Sequence, residues 1–355
     1  MNKVHAIIPA GGAGTRLWPV SRAQRPKFLL DLTGAGRSLL QQSWDRLAPL
    51  SATVTVVTGP HHAAGVAAQL PHLSAEGLVV EPSPRDSMAA IGLAASLILR
   101  RHPDAVMGSF AADHVISDER AFSSAVRKAV STAQDGYICT IGIEAREPST
   151  AYGYIETGVP LPSGALSVRR FVEKPDAATA AAYVATGRFH LNAGMFVARA
   201  DILLGHLRRH QPQLHDGLAK IADAWNTPQR TEALERIWPS LTRIAIDHAL
   251  AEPVAASGGM ACVPGRLGWT DLGDFDALSR LVPGGPVKVV GDMRRVRAID
   301  SSGVVLTGNR LITLLGVDDV VVVDTDDVLL VTTRTLAQRV KEARDAWSTS
   351  PHEVL

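Results

Sequence analysis

Near its start the chain reads Val4-His5-Ala6-Ile7-Ile8-Pro9-Ala10-Gly11-Gly12-Ala13-Gly14-Thr15-Arg16-Leu17-Trp18-Pro19, an apolar run followed by a glycine-rich turn. This order is typical of the first buried strand of an α/β sheet and the loop after it. Three glycines within four residues let the backbone approach a ligand closely. Their N–H groups can bind phosphate oxygens, so the loop is a candidate phosphate site.

Two basic side chains after the glycines, Arg16 and Lys27, can neutralise phosphate oxygens with fixed positive charge. The pattern differs from two familiar phosphate loops. A Walker A loop needs a Lys-Ser or Lys-Thr pair after its glycines, and none follows here. A dinucleotide fingerprint that began at Gly12 would need a third glycine where Leu17 stands. Both classes are excluded, and a tight turn beside a solvated basic face is the alternative to a phosphate site.

The loop resembles the signature of the sugar-nucleotidyltransferases, also called nucleotide-sugar pyrophosphorylases. In that family a strand ends in Gly-Gly-x-Gly-Thr-Arg-Leu, an apolar residue and Pro, and a Pro-Lys pair follows. All these elements are present, with Pro26-Lys27 as the pair. The resemblance implies catalytic roles for Arg16 and Lys27, with Arg16 stabilising a leaving pyrophosphate. It also implies that a nucleoside triphosphate is bound by Ala10, Gly11, Gly12, Gly14, Thr15 and Arg16.

Two aspartates are candidate metal ligands. Asp113 follows an apolar run in Ala111-Ala112-Asp113-His114, and Asp271 lies in Trp269-Thr270-Asp271-Leu272-Gly273. Mg²⁺ is usually held by one or two carboxylates together with substrate phosphates. Both segments resemble family motifs whose aspartates bind the metal, so the resemblance implies Mg²⁺ held by Asp113 and Asp271, with Asp113 catalytic. A helix cap is the alternative for Asp113, and His114 is expected to be structural rather than a base.

Three further segments resemble the sugar side of the family's site. Phe171-Val172-Glu173-Lys174-Pro175 resembles a box whose Lys binds the phosphate of a sugar 1-phosphate and whose Glu contacts sugar hydroxyls. Tyr152-Gly153-Tyr154-Ile155 and Asn192-Ala193-Gly194-Met195-Phe196 resemble strands whose Gly and Asn lie against the sugar. A surface Glu-Lys pair before a proline turn is the alternative reading of the first segment. The resemblance implies a sugar phosphate site made of Gly153, Glu173, Lys174 and Asn192.

The expected substrates depend on Glu81-Pro82-Ser83-Pro84-Arg85-Asp86-Ser87, which resembles the Glu-Pro-x-x-Arg-Asn-Thr segment of mannose-1-phosphate guanylyltransferases. Carboxylates at Glu81 or Asp86 can accept the N–H groups of guanine, and Arg85 completes the predicted nucleotide-binding set. The resemblance implies that mannose 1-phosphate attacks the α-phosphate of GTP in line, giving GDP-mannose and pyrophosphate. A pyrophosphorylase for another pair, such as one using glucose 1-phosphate, and a non-catalytic regulatory paralogue are the alternatives.

Apolar runs alternate with helical patterns through about residue 145, which predicts βαβ units around a sheet. We expect an α/β fold, a Rossmann-like mixed, mostly parallel sheet flanked by helices, for a nucleotidyltransferase domain at residues 1–284. Beyond Pro283-Gly284-Gly285-Pro286, short β-type runs with tight turns predict a small all-β, β-helix-like C-terminal module at residues 287–355. A helix over about 335–347 is expected to close it.

Composition narrows the expected partners. Lys and Arg total 36 against 35 Asp and Glu, so the net charge of +1 offers no electrostatic case for nucleic acid or a membrane surface. Cys139 and Cys262 lie in apolar surroundings, which favours buried reduced thiols over a zinc site. No apolar stretch is long enough to span a bilayer, and a cytoplasmic enzyme is expected. The apolar runs of the C-terminal module leave a homodimer open.

Overall fold

The computed structural model describes residues 3–12 and 14–347. The chain forms two compact units. The first consists of Met1–Gly11, Ser43–Ala112 and Ile116–Trp269, and the second of Gly12–Gln42, Asp113–Val115 and Thr270–Leu355. The second unit therefore contains residues 12–42, here named the signature arm, together with the C-terminal module. These units divide the chain differently from the domains expected at 1–284 and 287–355, which remain a prediction.

The described residues of the first unit form a nine-stranded sheet. The strands described before the C-terminal module are β1 (Val4–Ala10), β2 (Ser51–Thr58), β3 (Leu78–Val80), β4 (Val106–Ser109), β5 (His114–Ile116), β6 (Ile138–Glu144), β7 (Tyr154–Pro160), β8 (Leu166–Val172), β9 (Phe189–Arg199), β10 (Met260–Gly265) and β11 (Trp269–Asp271). The order in the large sheet is β3-β2-β1-β4-β9-β6-β10-β8-β7, and β5 pairs with β11 separately.

The large sheet is mixed, as predicted. Strands β3, β2, β1 and β4 run parallel in that order, and β6 is parallel to β10. Strand β9 runs antiparallel to both β4 and β6. Strand β7, which follows Gly153, and strand β8, which precedes Glu173, extend this same sheet rather than forming a separate one.

Helices cover the sheet of the first unit. They are α1 (Leu39–Leu47), α2 (Pro60–Gln69), α3 (Asp86–Arg101), α4 (Glu119–Gln134), α5 (Ala177–Thr186), α6 (Ala200–His210), α7 (Pro212–Ala224), α8 (Arg230–Ile237) and α9 (Glu252–Ala256), with a π-helix at Asp247–Ala251. Alanine and leucine in α3 favour a helix and bury its length against Ile7 and Met107 of the sheet. Among the described residues, every helix is too short or too polar to cross a membrane.

Asp86 lies at the start of α3 but does not cap it. Asp86 is the first helical residue, with a φ of 55°, and Arg85 precedes it without a side-chain cap. The Asp86 carboxylate instead lies 3.3 Å from the Arg243 guanidinium. The ion pair therefore takes the carboxylate oxygens that would otherwise accept helix N–H groups.

The C-terminal module is a β-helix-like coil. Its strands are β12 (Val287–Val290), β13 (Val296–Ile299), β14 (Gly303–Leu306), β15 (Ile312–Leu315), β16 (Val320–Asp324) and β17 (Leu329–Thr333). Strands β12, β14 and β16 pair in parallel, and β13 and β15 pair in parallel in a second sheet, so strands β12 to β16 alternate between the two. Strand β17 joins the first sheet, antiparallel to β16. The expected closing helix is shorter, because a 3-10 helix at Arg334–Arg339 precedes α11 (Val340–Asp345). Within the described residues, α11 is the helix that follows α10 (Phe275–Leu281) and the last one.

One hydrophobic core joins the signature arm to the C-terminal module. Leu17 and Trp18 of the arm are buried in it with Phe275 of α10. Val321 of β16 and Val340 of α11 lie in the same core. Burial of apolar area is the main favourable term in folding. The position of the arm within the second unit therefore depends on the last seventy or so residues as well as on its own sequence.

Candidate active site

The second unit brings together Lys27, Asp113 and Asp271, which lie far apart in sequence. The Lys27 ammonium is 2.7 Å from Asp113 Oδ2 and 3.8 Å from Asp271 Oδ1. It also donates to the Leu272 carbonyl at 2.9 Å. Asp113 immediately precedes β5 and Asp271 ends β11, so the pairing of these two strands places both carboxylates at one end of a small ribbon. We name Lys27, Asp113, His114 and Asp271 the carboxylate–lysine cluster.

Opposite charges shift the pKa values of Lys27 and Asp113 in the direction that favours their ionised forms, although burial opposes both shifts. Burial alone would lower the pKa of Lys27, but the negative charges of Asp113 and Asp271 outweigh it and raise that pKa. Burial alone would likewise raise the pKa of Asp113, but the Lys27 charge outweighs it and lowers that pKa. Removing one partner of such a pair leaves an uncompensated charge, which is far costlier than losing the pair as a whole.

The cluster also fits a divalent metal ion. One ligand atom each from Asp113, His114 and Asp271 lies within 4.8 Å of the others. Hard cations such as Mg²⁺ prefer carboxylate oxygens and retain open positions for substrate phosphates. His114, which the sequence suggests is structural, is buried and adds a ring nitrogen to this donor set.

The glycine-rich loop adopts a backbone that requires glycine at two positions. Gly12 has a φ of 92° and Gly14 a φ of 54°, both in the left-handed region. A Cβ atom on Gly14 would also lie 2.6 Å from Ser21 Oγ. Gly11 and Gly12 are exposed, so their backbone is accessible to a ligand. After Gly14 the chain enters a 3-10 helix at Thr15–Leu17, which carries Arg16.

Arg16 is held by residues of the same unit. Its Nη1 donates to Gln338 Oε1 at 2.7 Å. Gln338 Nε2 in turn donates to Asp274 Oδ2. Asp274 Oδ1 accepts the Ala277 N–H at 2.8 Å, so Asp274 caps α10. Gln338 is not among the predicted site residues, and no motif of the sequence connects it to Arg16.

The predicted sugar residues of the first unit form a hydrogen-bonded group. Asn192 Oδ1 accepts from the Thr140 hydroxyl at 2.9 Å and from the Gly194 N–H at 3.1 Å. Asn192 Nδ2 donates to Asp247 Oδ1 at 2.9 Å. These bonds fix the orientation of the amide. They direct Asn192 toward a carboxylate that is not among the predicted site residues.

Glu173, Lys174 and Gly153 are neighbours in the first unit. The Lys174 ammonium lies 2.8 Å from Glu173 Oε1, and the exposed fractions of the two side chains are 61% and 10%. The backbone of Lys174 has a φ of 44°, which is uncommon for a residue with a Cβ. A Cβ on Gly153 would lie 2.5 Å from Glu173 Oε2. Glycine is therefore needed at 153 to admit the Glu173 carboxylate.

Two more carboxylates complete this group. Asp247 begins the π-helix, and burial, reinforced by the charge of Glu173, raises its pKa to about 6. Glu252 at the start of α9 accepts the Glu173 N–H at 3.4 Å, and its other oxygen lies 3.0 Å from His248 Nδ1. The segment Ile246-Asp247-His248-Ala249, which resembles the Ile-Asp-Tyr-Ala of guanylyltransferases, is the signal that points to Asp247.

Glu81 is a buried carboxylate at the carboxyl end of β3. It is 7% exposed, and burial raises its pKa to about 7. Its Oε2 has no hydrogen-bond partner among the described residues. A Cβ on Gly11 would lie 3.9 Å from Glu81 Oε1, so the carboxylate approaches the end of β1. Arg85 donates to the Pro239 carbonyl at 2.5 Å, and Asp86 is ion-paired as described above.

The predicted site residues therefore fall into sets that the structure assembles within each unit. The second unit contains the carboxylate–lysine cluster, Gly12, Gly14, Thr15 and Arg16. The first unit contains two groups. Ala10, Gly11, Glu81, Arg85 and Asp86 belong to the ends of β1 and β3 and the start of α3. The sugar group consists of Gly153, Glu173, Lys174 and Asn192, joined by Asp247 and Glu252.

Comparisons with known proteins support the resemblance to the sugar-nucleotidyltransferases. The sequence profile of the family described as "Nucleotidyl transferase" matches residues 5–283. The profile of the "MannoseP isomerase/GMP-like beta-helix domain" matches residues 294–344. The xanthan biosynthesis protein XanB of Xanthomonas campestris is 39% identical, with 96% of this chain and 73% of that protein covered. The mannose-1-phosphate guanylyltransferase of Escherichia coli K12 is 35% identical, again with 96% and 73% covered.

A solved structure agrees with these matches. A crystal structure described as mannose-1-phosphate geranyltransferase from Thermus thermophilus has a TM-score of 0.85 and 30% identity, and it covers 98% of this chain and 100% of its own. The predicted α/β nucleotidyltransferase fold with a β-helix-like C-terminal part is thereby confirmed. The chain belongs to the nucleotidyl transferase family, within which it carries a C-terminal β-helix domain.

Proposed function

We propose that this protein is a mannose-1-phosphate guanylyltransferase, which converts GTP and mannose 1-phosphate into GDP-mannose and pyrophosphate. The observation that carries this proposal is the assembly of Lys27, Asp113 and Asp271, from three distant segments, into one charged cluster in the unit that also contains Arg16. The Escherichia coli relative bears the name of this reaction and supports the choice of substrates.

The reaction requires positioning and charge neutralisation more than proton transfer. A phosphate oxygen of mannose 1-phosphate forms a bond to the α-phosphorus of GTP, and the α–β phosphoanhydride bond breaks on the opposite side. Pyrophosphate leaves with the bonding electron pair. The loop backbone at Gly12, Gly14 and Thr15 would bind the triphosphate, because its left-handed glycines turn N–H groups toward a ligand. Arg16 would neutralise the charge that grows on the leaving pyrophosphate.

Asp113 and Asp271 are proposed to hold Mg²⁺, with His114 beside them. When bound, the ion supplies polarisation of the phosphate oxygens at the reacting phosphorus. Lys27 lies within ion-pair distance of both carboxylates and so offsets part of their negative charge. Its ammonium would also hold a phosphate oxygen of the substrates, because a compact charge on a flexible stem can change partners readily.

The sugar group of the first unit is proposed to bind mannose 1-phosphate. Carboxylates accept hydrogen bonds from sugar hydroxyls, and Glu173 and Asp247 offer several acceptor oxygens close to each other. Asn192 orients Asp247 through its amide. The ammonium of Lys174 is well exposed and would bind the sugar phosphate.

Glu81 is proposed to recognise guanine, because its Oε2 is buried without a partner among the described residues. A guanine N–H would satisfy that oxygen, and adenine lacks the corresponding donors. We expect Glu81→Gln to lower the preference for GTP over ATP about tenfold or more, because an unmatched polar group opposes the substrate. Asp86→Asn is the matched control, since Asp86 is already paired with Arg243. If Asp86→Asn alone lowered the preference for GTP over ATP, Asp86 rather than Glu81 would be the residue that recognises guanine.

The proposed reaction is tested by pyrophosphate release with Mg²⁺, crossing GTP, ATP, UTP and dTTP against mannose and glucose 1-phosphates. We expect the fastest release with GTP and mannose 1-phosphate. Asp271→Asn should abolish release, because it removes a charged ligand of the proposed metal while keeping nearly the same shape. Faster release with another pair would contradict the assigned substrates and keep the mechanism. If no pair of substrates gave pyrophosphate release, the proposed enzymatic activity would be contradicted and a regulatory paralogue would be favoured.

A homodimer and a cytoplasmic location are also proposed. The C-terminal module exposes large apolar side chains, among them Leu311 at 83% and Leu315 at 68%, and such a surface favours association of two copies. The two cysteines are free and buried, as expected of a protein kept in a reducing compartment. Light scattering after size exclusion would measure the mass of the particle, and a monomer at micromolar concentration would contradict the dimer.

A further inference from the structure

A hydrogen-bonded chain connects Arg16 to the C-terminal module. Arg16 lies on the 3-10 helix at Thr15–Leu17, and its Nη1 donates to Gln338 Oε1 at 2.7 Å. Gln338 lies on the 3-10 helix at Arg334–Arg339, 322 residues later in sequence. The two short helices are held together by the shared core, since Leu17 and Ala337 are both buried in it. The bond thus joins two segments whose backbones are already fixed.

The chemistry of the chain requires an amide at position 338. Gln338 Nε2 donates to Asp274 Oδ2, while its oxygen accepts from Arg16. A guanidinium can only donate and a carboxylate can only accept, so these two partners settle which end of the amide faces each of them. Asp274 is itself 8% exposed and fixed by capping α10. The position of the Arg16 guanidinium therefore depends on α10, through the hydrogen bonds that Gln338 makes with Asp274 and Arg16.

Arg16 has little room to move on its other side. A Cβ on Gly273 would lie 3.2 Å from Arg16 Nη2, which places the guanidinium against the backbone that follows Asp271. If Gln338 were lost, the guanidinium would lose an acceptor and Asp274 Oδ2 would lose a donor. The unpaired carboxylate oxygen would then compete with a substrate phosphate for Arg16.

We propose that Gln338 is a positioning residue that holds Arg16 in the orientation that binds pyrophosphate, so that the C-terminal module contributes to the leaving-group side of the reaction. This inference rests on the proposed function. It adds a residue outside the nucleotidyl transferase match at 5–283 to the machinery of the reaction. The segment that contains Gln338 belongs to the β-helix match at 294–344.

The reverse reaction tests the inference, because pyrophosphate is then a substrate. With GDP-mannose and Mg²⁺, we expect Gln338→Ala to raise the KM for pyrophosphate about fivefold, which corresponds to one hydrogen bond worth about 1 kcal/mol. The KM for GDP-mannose should stay unchanged. The matched control is Asp327→Asn, which breaks the bidentate pair with Arg22 at 2.5 and 2.6 Å. That pair also ties the signature arm to the C-terminal module, so the control should lower thermal stability and leave both KM values unchanged.

A double variant that moves the negative charge from position 274 to position 338 tests whether the hydrogen bonds to Arg16 can be restored. Gln338→Glu alone places two carboxylates against each other and should raise the KM for pyrophosphate. Adding Asp274→Asn supplies an amide donor toward the new carboxylate and keeps a side chain that caps helices well. The double variant should return the KM for pyrophosphate to within about twofold of wild type.

The outcomes separate this inference from the function on which it rests. If the wild type does not form GTP from GDP-mannose and pyrophosphate, both are overturned. If Arg16→Ala raises the KM for pyrophosphate but Gln338→Ala does not, the role of Gln338 alone is overturned. Equal increases in both KM values for Gln338→Ala, or a matching increase in Asp327→Asn, would show a general loss of structure and would also overturn it.

Discussion

The ammonium of Lys27 lies 2.7 Å and 3.8 Å from the two carboxylates that we propose as metal ligands. A metal ion and Lys27 therefore compete for the same negative charge. We expect Lys27→Met to raise the affinity for Mn²⁺ without nucleotide by at least about tenfold, since charges this close interact by about 4 kcal/mol at a near-surface dielectric. Turnover should be lost. Titration of Mn²⁺ followed by electron paramagnetic resonance would measure the affinity.

The matched control for Lys27 is Lys174→Met. It removes the same charge, but Lys174 pairs with Glu173 in the sugar group and lies in the other unit. Its Mn²⁺ affinity should equal that of wild type. If Lys27→Met binds Mn²⁺ no better than wild type does, Asp113 and Asp271 are not the metal ligands.

Glu81 makes the stability of the fold depend on pH. Its pKa rises from an ordinary 4.5 to about 7 because the fold buries it, so the folded protein holds its proton more tightly than the unfolded chain does. Its contribution to stability is therefore present below about pH 4.5 and is lost as the pH rises toward 7. Glu81→Gln should stabilise the protein by about 2–3 kcal/mol at pH 8 and by little at pH 4.5. Urea unfolding at pH 8 and pH 4.5 would measure the free energy of unfolding of both proteins. An equal effect of Glu81→Gln at the two pH values would contradict the raised pKa of Glu81.

Individual residues differ in how far sequence predicts them. Lys27, Asp113 and Asp271 belong to recognisable motifs, and the structure places them together. Gln338 belongs to no motif, because its partner is 322 residues away and only the folded core brings the two together. Asp86 likewise does not cap α3, because its carboxylate pairs with Arg243. Arg243 is 157 residues away, so no local pattern predicts this pair.

Helix α10 depends on its cap more than its length suggests. It spans only Phe275–Leu281, and Asp274 both caps it and holds Gln338. Asp274→Ala should destabilise the second unit by about 1 kcal/mol through loss of the cap. Asp274→Asn keeps a capping oxygen and loses only the acceptor for Gln338 Nε2, so it should cost less than the alanine variant. Guanidinium chloride unfolding would compare the two variants, and equal losses would contradict the capping role.

Elements of the fold follow from local patterns where those patterns are long. Strands β1 to β4 and helices α1 to α4 lie in the part of the chain, up to about residue 145, where alternating apolar runs and helical patterns predict βαβ units. Strand β10 (Met260–Gly265), which lies between β6 and β8, follows from no such pattern. Its apolar stretch is only four residues long and ends in Pro-Gly, which locally favours a turn. Its strand conformation comes from pairing along both edges.

The second unit gives the C-terminal module a role in the whole molecule. Leu17, Trp18 and Phe275 are buried in the same core as Val321 and Val340. A fragment of residues 1–284 would expose the first three side chains to water. We expect it to keep the nine-stranded sheet of the first unit but to lose Mn²⁺ binding and turnover. Circular dichroism and Mn²⁺ titration of the fragment would measure both properties, and a fragment with wild-type KM values would contradict the shared core.

The shared core also sets a limit on building hybrid enzymes within the family. A chimera that takes its first forty or so residues from another member would import a signature arm whose apolar side was shaped by a different C-terminal partner. The imported residues at positions 17 and 18 would have to pack against Val321 and Val340 of this chain, and the imported residue at position 16 would have to match the amide of Gln338. Transplanting the glycine-rich loop between members of the family therefore requires transplanting the tail of the chain with it.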